Sequence, residues 1–104
     1  MSSMDDRADA FEKKYAHDAE LQFKVEARRN KLLGLWAAAL MGKTGDDAAA
    51  YATEVVKSDF EEAGDEDVFR KVSGDLGEMM DEASIRGQME SLMVQAKSEV
   101  MSET

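Results

Sequence analysis

Gly42-Lys43-Thr44 carries the residue types of a phosphate-binding loop. In such a loop, backbone N–H groups wrap the phosphates, the lysine neutralises them and the hydroxyl reaches Mg²⁺. The full signature also needs a glycine five positions earlier, and Ala37 stands there. The loop should follow a β-branched strand, but "KLLGLWAAAL" precedes it, a run of strong helix formers. A glycine and a lysine just past a helix form a common stop signal. Gly42-Lys43-Thr44-Gly45 therefore reads as a turn between helices. No strand follows that could hold Mg²⁺.

The other chemistry-bearing residues assemble into nothing catalytic. His17 is the sole histidine and there is no cysteine. Neither a nucleophile–base pair nor a metal cluster is visible in the spacing. The acidic run "DFEEAGDED" (59–67) lacks the alternating ligands and closing Glu of a calcium loop, and reads as a solvated helix–helix corner. No catalytic residue, cofactor or metal is expected.

Composition narrows the partners. The chain has 104 residues and a net charge of −10. Residues 1–42 hold seven acids and seven bases, so the excess lies wholly in residues 43–104. Within the neutral half, Lys24, Arg28, Arg29 and Lys31 surround a single acid, Glu26. An acidic body disfavours nucleic acid and anionic membrane surfaces. A basic patch on such a body suits a protein partner of mixed charge. No apolar run reaches membrane-spanning length and no signal-peptide stretch opens the chain, so a soluble, intracellular protein is expected.

Chain elements must position these groups, and the pattern predicts an all-α fold. Without proline, long helices are permitted. Helices are expected from about Asp18 to Met41, from Asp46 to Gly64, from Asp65 onward, and from near Asp81 to a frayed end. Their apolar stripes run through Leu21, Val25, Leu32, Leu35, Trp36, Ala39 and Leu40, then Tyr51, Ala52, Val55, Val56, Phe60 and Ala63. The third uses Val68, Phe69, Val72, Leu76, Met79 and Met80, and the fourth Ile85, Met89, Leu92, Met93, Ala96 and Val100. Short connections fold these into a compact four-helix bundle spanning 18–104, with a long first helix and with Trp36, Phe60 and Phe69 as its largest buried pieces.

Residues 1–17 stand apart as an N-terminal arm. Its segment "DDRADAFEKKYAH" (5–17) is charged and carries only two large apolar groups, Phe11 and Tyr15, four apart on one helix face. Such a segment is marginal as an isolated helix. It is either a helical extension of the first helix or a mobile arm that orders in a partner's cleft.

The motifs "F-x-x-K-Y-A-H-D-A-E-x-Q-F-K", "E-A-R-R-N-K-L-L-G-L-W-A-A", "G-K-T-G" and "F-E-E-A-G-D-E-D-V-F-R-K" cover most of residues 10–72 in order. In them the chain resembles the zeta subunit family of alphaproteobacterial F-type ATP synthases, inhibitors of the rotary enzyme's ATPase activity. Residues 73–101 match only in helical pattern and length. The resemblance implies a four-helix domain preceded by an inhibitory arm, acting in the cytoplasm at the F1 head of the membrane-bound synthase. The arm would insert at a catalytic interface between alpha and beta subunits, with gamma as a further partner. Phe11, Lys13, Lys14, Tyr15, Ala16 and His17 fall in the family's arm motif, and Asp5, Asp6 and Arg7 in its looser start. Phe11 and Tyr15 would be the anchors, Arg7, Lys13 and Lys14 would set rate and salt dependence, and Lys24, Arg28, Arg29 and Lys31 would extend the contact. The alternative is an adenine-nucleotide-sensing or adaptor helical domain, with ATP or ADP bound near the Lys43 turn or the basic patch.

Overall fold

The computed structural model describes residues 3–59 and 65–103, with side chains from residue 6 onward. The described residues are helical throughout apart from the turns. They form α1 (Ser3–His17), α2 (Ala19–Leu40), α3 (Gly45–Ser58), α4 (Glu66–Leu76), a 3-10 turn (Gly77–Met79) and α5 (Glu82–Glu103). The all-α expectation holds, but there are five α-helices rather than four. The extra one is the N-terminal segment, which is a helix in its own right. Asp18 separates it from α2: its backbone is extended and its carboxylate accepts the Leu21 N–H at 3.1 Å, capping α2.

Gly42 to Gly45 form the expected turn. Gly42 and Gly45 both have positive φ, at 79° and 54°, and the Lys43 N–H reaches back to the Ala38 carbonyl at 2.8 Å. That closes α2 as a left-handed glycine stop does.

The buried face of α2 differs from the expected stripe. Leu21, Val25, Arg29, Leu33 and Ala37 repeat every four residues and face inward, whereas Leu35, Ala39 and Leu40 are exposed and Trp36 is only half-buried at the core edge. The reason lies in how closely α3 crosses. A Cβ on Gly34 would sit 2.6 Å from the Ala52 Cα, so the two backbones touch where only small residues allow it. Gly34 provides that contact, while Leu35 and Leu40 turn outward.

The main core joins α2, α3, α4 and α5 around Leu33, Val55, Val68, Val72 and Ile85. Phe69 is buried there as expected, with the Arg86 guanidinium 3.9 Å over its ring. The expected places of Phe60 and Ala63 lie outside the described residues. α3 ends earlier than expected, at Ser58. α4 stops at Leu76 because Gly77 takes a positive φ, which leaves Met79 exposed rather than on the stripe. Asp65 does not cap α4 with its side chain; its carboxylate turns to Arg29 instead. Asp81 does cap, accepting the Ser84 N–H at 2.8 Å. The C-terminal end is helical to Glu103 rather than frayed. Val100 is buried there, and Arg28 reaches Glu99 at 2.9 Å and Glu103 at 2.5 Å, tying the last turns of α5 to α2.

Among the described residues, no helix is long and apolar enough to cross a membrane. The molecule measures 46 × 27 × 26 Å with a radius of gyration of 14.7 Å. A compact chain of this length would have about 13 Å. The excess reflects an elongated body.

Candidate functional site

Phe11 and Tyr15 share one face of α1, as their spacing requires, and their rings stack at 6.4 Å. Phe11 is only 8 % exposed. It lies with Leu21 and Val25 of α2 and Ala96 and Val100 of α5 in a second apolar cluster, separate from the main core. Tyr15, Met93 and Met101 pack at its edge. The α1 backbone is thus folded against the α2–α5 pair through a single aromatic face.

Polar contacts fasten that face. The Lys97 ammonium of α5 stands 4.5 Å over the Tyr15 ring and 3.4 Å from the Glu12 carboxylate. Arg7 donates to the Met101 carbonyl at 2.8 Å. Gln22 donates to the Tyr15 carbonyl at 2.7 Å, satisfying one of the terminal acceptors of α1. Burial, helped by Glu26 and Glu12, pushes the Tyr15 phenol above its ordinary range. It is therefore neutral at physiological pH. Ala8, Phe11 and Glu12 with Val94, Lys97 and Met101 line a shallow groove of about 240 Å³ along the seam, largely apolar in its walls.

The remaining arm residues from Asp6 onward are exposed. Asp6, Arg7, Lys13, Lys14 and His17 are exposed, with Lys14 and His17 in the last turn of α1, where positive charge suits the helix dipole. Asp5 lies on α1 by its backbone.

The basic patch of α2 does not stay together. Lys24 and Lys31 are exposed. Arg28 is engaged by Glu99 and Glu103, whose hydrogen bonds raise its pKa. Arg29 points inward instead. It is 2 % exposed, donating to Asn30 at 2.7 Å and to Asp65 at 2.8 Å. Glu26, Asp59 and Asp65 surround this buried cation. Burial and the neighbouring Asp59 and Asp65 push Glu26 up, and burial and Asp65 push Asp59 up against the pull of Arg29. Sequence spacing could not separate Arg28 from Arg29, because adjacent residues differ by about 100° around a helix and only the packing says which points in.

Around Lys43 the neighbours are of mixed charge. Lys43 borders a polar depression of about 260 Å³ with Tyr51, Glu54, Lys71 and Asp75. Lys71 pairs with Asp75 at 2.8 Å and Glu54 at 3.5 Å, and the Tyr51 hydroxyl donates to Asp75 at 2.9 Å. Burial alone would raise Asp75, but its hydrogen bonds from Lys71 and Tyr51 outweigh that and hold it below the usual range. A phosphate here would meet the carboxylates of Glu54 and Asp75 as well as Lys43 and Lys71. Among the described residues, no three His, Cys, Asp or Glu side chains are placed to hold a metal ion.

The sequence that builds this separate first helix and the acidic helical body matches a known family. That family is ATPase inhibitor subunit zeta, and the match covers residues 1–99. The chain belongs to the ATPase inhibitor subunit zeta family. The match takes in α1 and all but the end of α5, well past the segments whose motifs carry the resemblance. A solution NMR structure is 61 % identical to this zeta-family chain, with a TM-score of 0.75, and covers 81 % of this chain and 99 % of the other. No curated protein matches the chain.

Proposed function

We propose that the chain inhibits ATP hydrolysis by the F1 part of a bacterial F-type ATP synthase, with residues 1–17 as the inhibitory element and the α2–α5 body as its support. The observation that carries this reading is the zeta-family match over residues 1–99, which takes in α1. Consistent with it, α1 is a separate helix whose apolar surface is concentrated in two aromatic rings. In this reading α1 enters a catalytic interface between alpha and beta subunits at the cytoplasmic F1 head. Phe11 and Tyr15 are the anchors, because buried aromatics dominate interface energies. Exposed Lys13 and Lys14, with Arg7, Lys24 and Lys31, steer the approach. Arg29 serves the fold, since its charge is already matched inside the chain.

The test is an ATPase assay of cognate F1 with wild-type protein and with Phe11→Ala/Tyr15→Ala. Inhibition by the wild type and its loss in the double variant is the expected result. Equal inhibition by both proteins would remove the arm from the mechanism.

A further inference from the structure

α1 can leave the body without dismantling the main core. Its apolar attachment is one buried ring and one half-buried ring, and the core of α2–α5 contains no α1 residue. Asp18, in extended backbone between two helices, is a ready pivot. A 15-residue helix is marginal alone, so docking and helicity in α1 rise and fall together. On the body side, α2 supplies Leu21, Val25 and Gln22, and the last turns of α5 supply the other groups that hold α1. The Lys97 ammonium covers the Tyr15 ring and pairs with Glu12, Val100 packs in the Phe11 cluster, and the Met101 carbonyl takes the Arg7 guanidinium.

The docked state hides the two rings that the functional reading above assigns as anchors. A ring packed against Val25, Ala96 and Val100 is not available to a second surface. We infer that the C-terminal turns of α5 are an intramolecular latch that competes with the enzyme for the Phe11–Tyr15 face of α1, so that the chain is a partly self-silenced inhibitor. The inference rests on the arm reading and adds its regulation. Apparent affinity is the intrinsic affinity scaled by the undocked fraction. Loosening the latch from the body side therefore strengthens inhibition, whereas removing the rings abolishes it. The two interventions act on one seam in opposite directions.

The experiment uses the full chain with Lys97→Glu, which places a carboxylate beside Glu12 and the Tyr15 ring, and Lys97→Arg, which keeps both attractions. Neither alters α1. Hydrogen exchange of the amides of residues 3–17 is measured on the free protein, and inhibition of cognate F1 is titrated in parallel. In Lys97→Glu the α1 amides exchange roughly 3–10-fold faster and half-inhibition falls to a concentration lower by a similar factor, as the undocked fraction rises. Lys97→Arg behaves as wild type. Unchanged α1 exchange in Lys97→Glu overturns the latch, and so does faster exchange without stronger inhibition. The functional reading fails by a separate result: Phe11→Ala/Tyr15→Ala inhibiting as well as wild type, whatever the exchange of Lys97→Glu.

Discussion

In the main core every wall is a helix packed on its neighbours, and Leu33, Val55, Val68, Val72 and Ile85 are sealed from water. In the α1 seam one wall is a lone helix held through Phe11, with Tyr15 and Met101 at a half-open edge. The same chemistry, apolar burial plus a few ion pairs, thus yields a permanent assembly in one place and a detachable one in the other. The difference is connectivity. A core residue is ordered by several elements at once, while Phe11 is ordered only if α1 as a whole is docked. Local openings of this kind cost far less than global unfolding.

The largest effect should come from Leu33→Ala in the main core, about 3–5 kcal/mol of global stability for a fully buried leucine, read from denaturant midpoints. A loss under about 1 kcal/mol would mean that the core is less tightly built than its burial implies. Gly34→Ala should follow, since its added methyl meets the α3 backbone rather than a flexible side chain. The expected cost is about 1–3 kcal/mol by overpacking, with both helices displaced in amide chemical shifts.

Phe11→Ala should cost less than a buried phenylalanine ordinarily does. The loss is capped by the docking free energy of α1, because beyond that point α1 is simply free. Roughly 1–2 kcal/mol is expected, read as faster exchange confined to residues 3–17, with the denaturant midpoint of the body close to wild type. Equal destabilisation of α1 and the body would merge the two regions into one cooperative unit and erase the contrast.

The smallest effect concerns the carboxylates around Arg29. Glu26 and Asp59 are both pushed above their ordinary values, so the folded state binds protons there more tightly than the unfolded state does. Their contribution to stability is therefore most favourable in acid and is lost as pH rises through the raised folded values. Glu26→Gln/Asp59→Asn should raise Tm at pH 7 by a few degrees, about 2–4 °C. The gain should shrink as pH falls into the ordinary carboxylate range, because the wild-type groups are then protonated too. A gain that grows in acid would reverse the assignment.

Much of this was legible from residue order. The glycines Gly42 and Gly45 marked the turn after α2, and Asp18 and Asp81 stood where helices begin, whereas the stop at Gly77 was missed and the third stripe was carried through to Met80. The Phe11–Tyr15 pair was visible as a single face, and its candidate role came with the motif match. The buried side of α2 was not legible. "ARRNKLLGLWAAAL" offers two apolar faces of similar strength, and counting large residues favours the one with Leu35 and Leu40. The face that won is the one with Gly34 and Ala37, and at Gly34 the α3 backbone comes close enough that a side chain would clash. Likewise, a stretch of four basic residues reads as one patch on paper but divides into two solvated lysines, a surface fork and a buried cation.

Residue order alone determined the helical class, the turn after α2 and the composition of the arm, because these depend on propensity, turn chemistry and spacing within a few residues. Only the tertiary structure decided that the arm folds back, which side of α2 faces inward and that Arg28 and Arg29 serve different neighbours. Those outcomes rest on contacts between residues distant in the chain, such as Arg7 with Met101 and Lys97 with Tyr15, whose energies no local pattern contains.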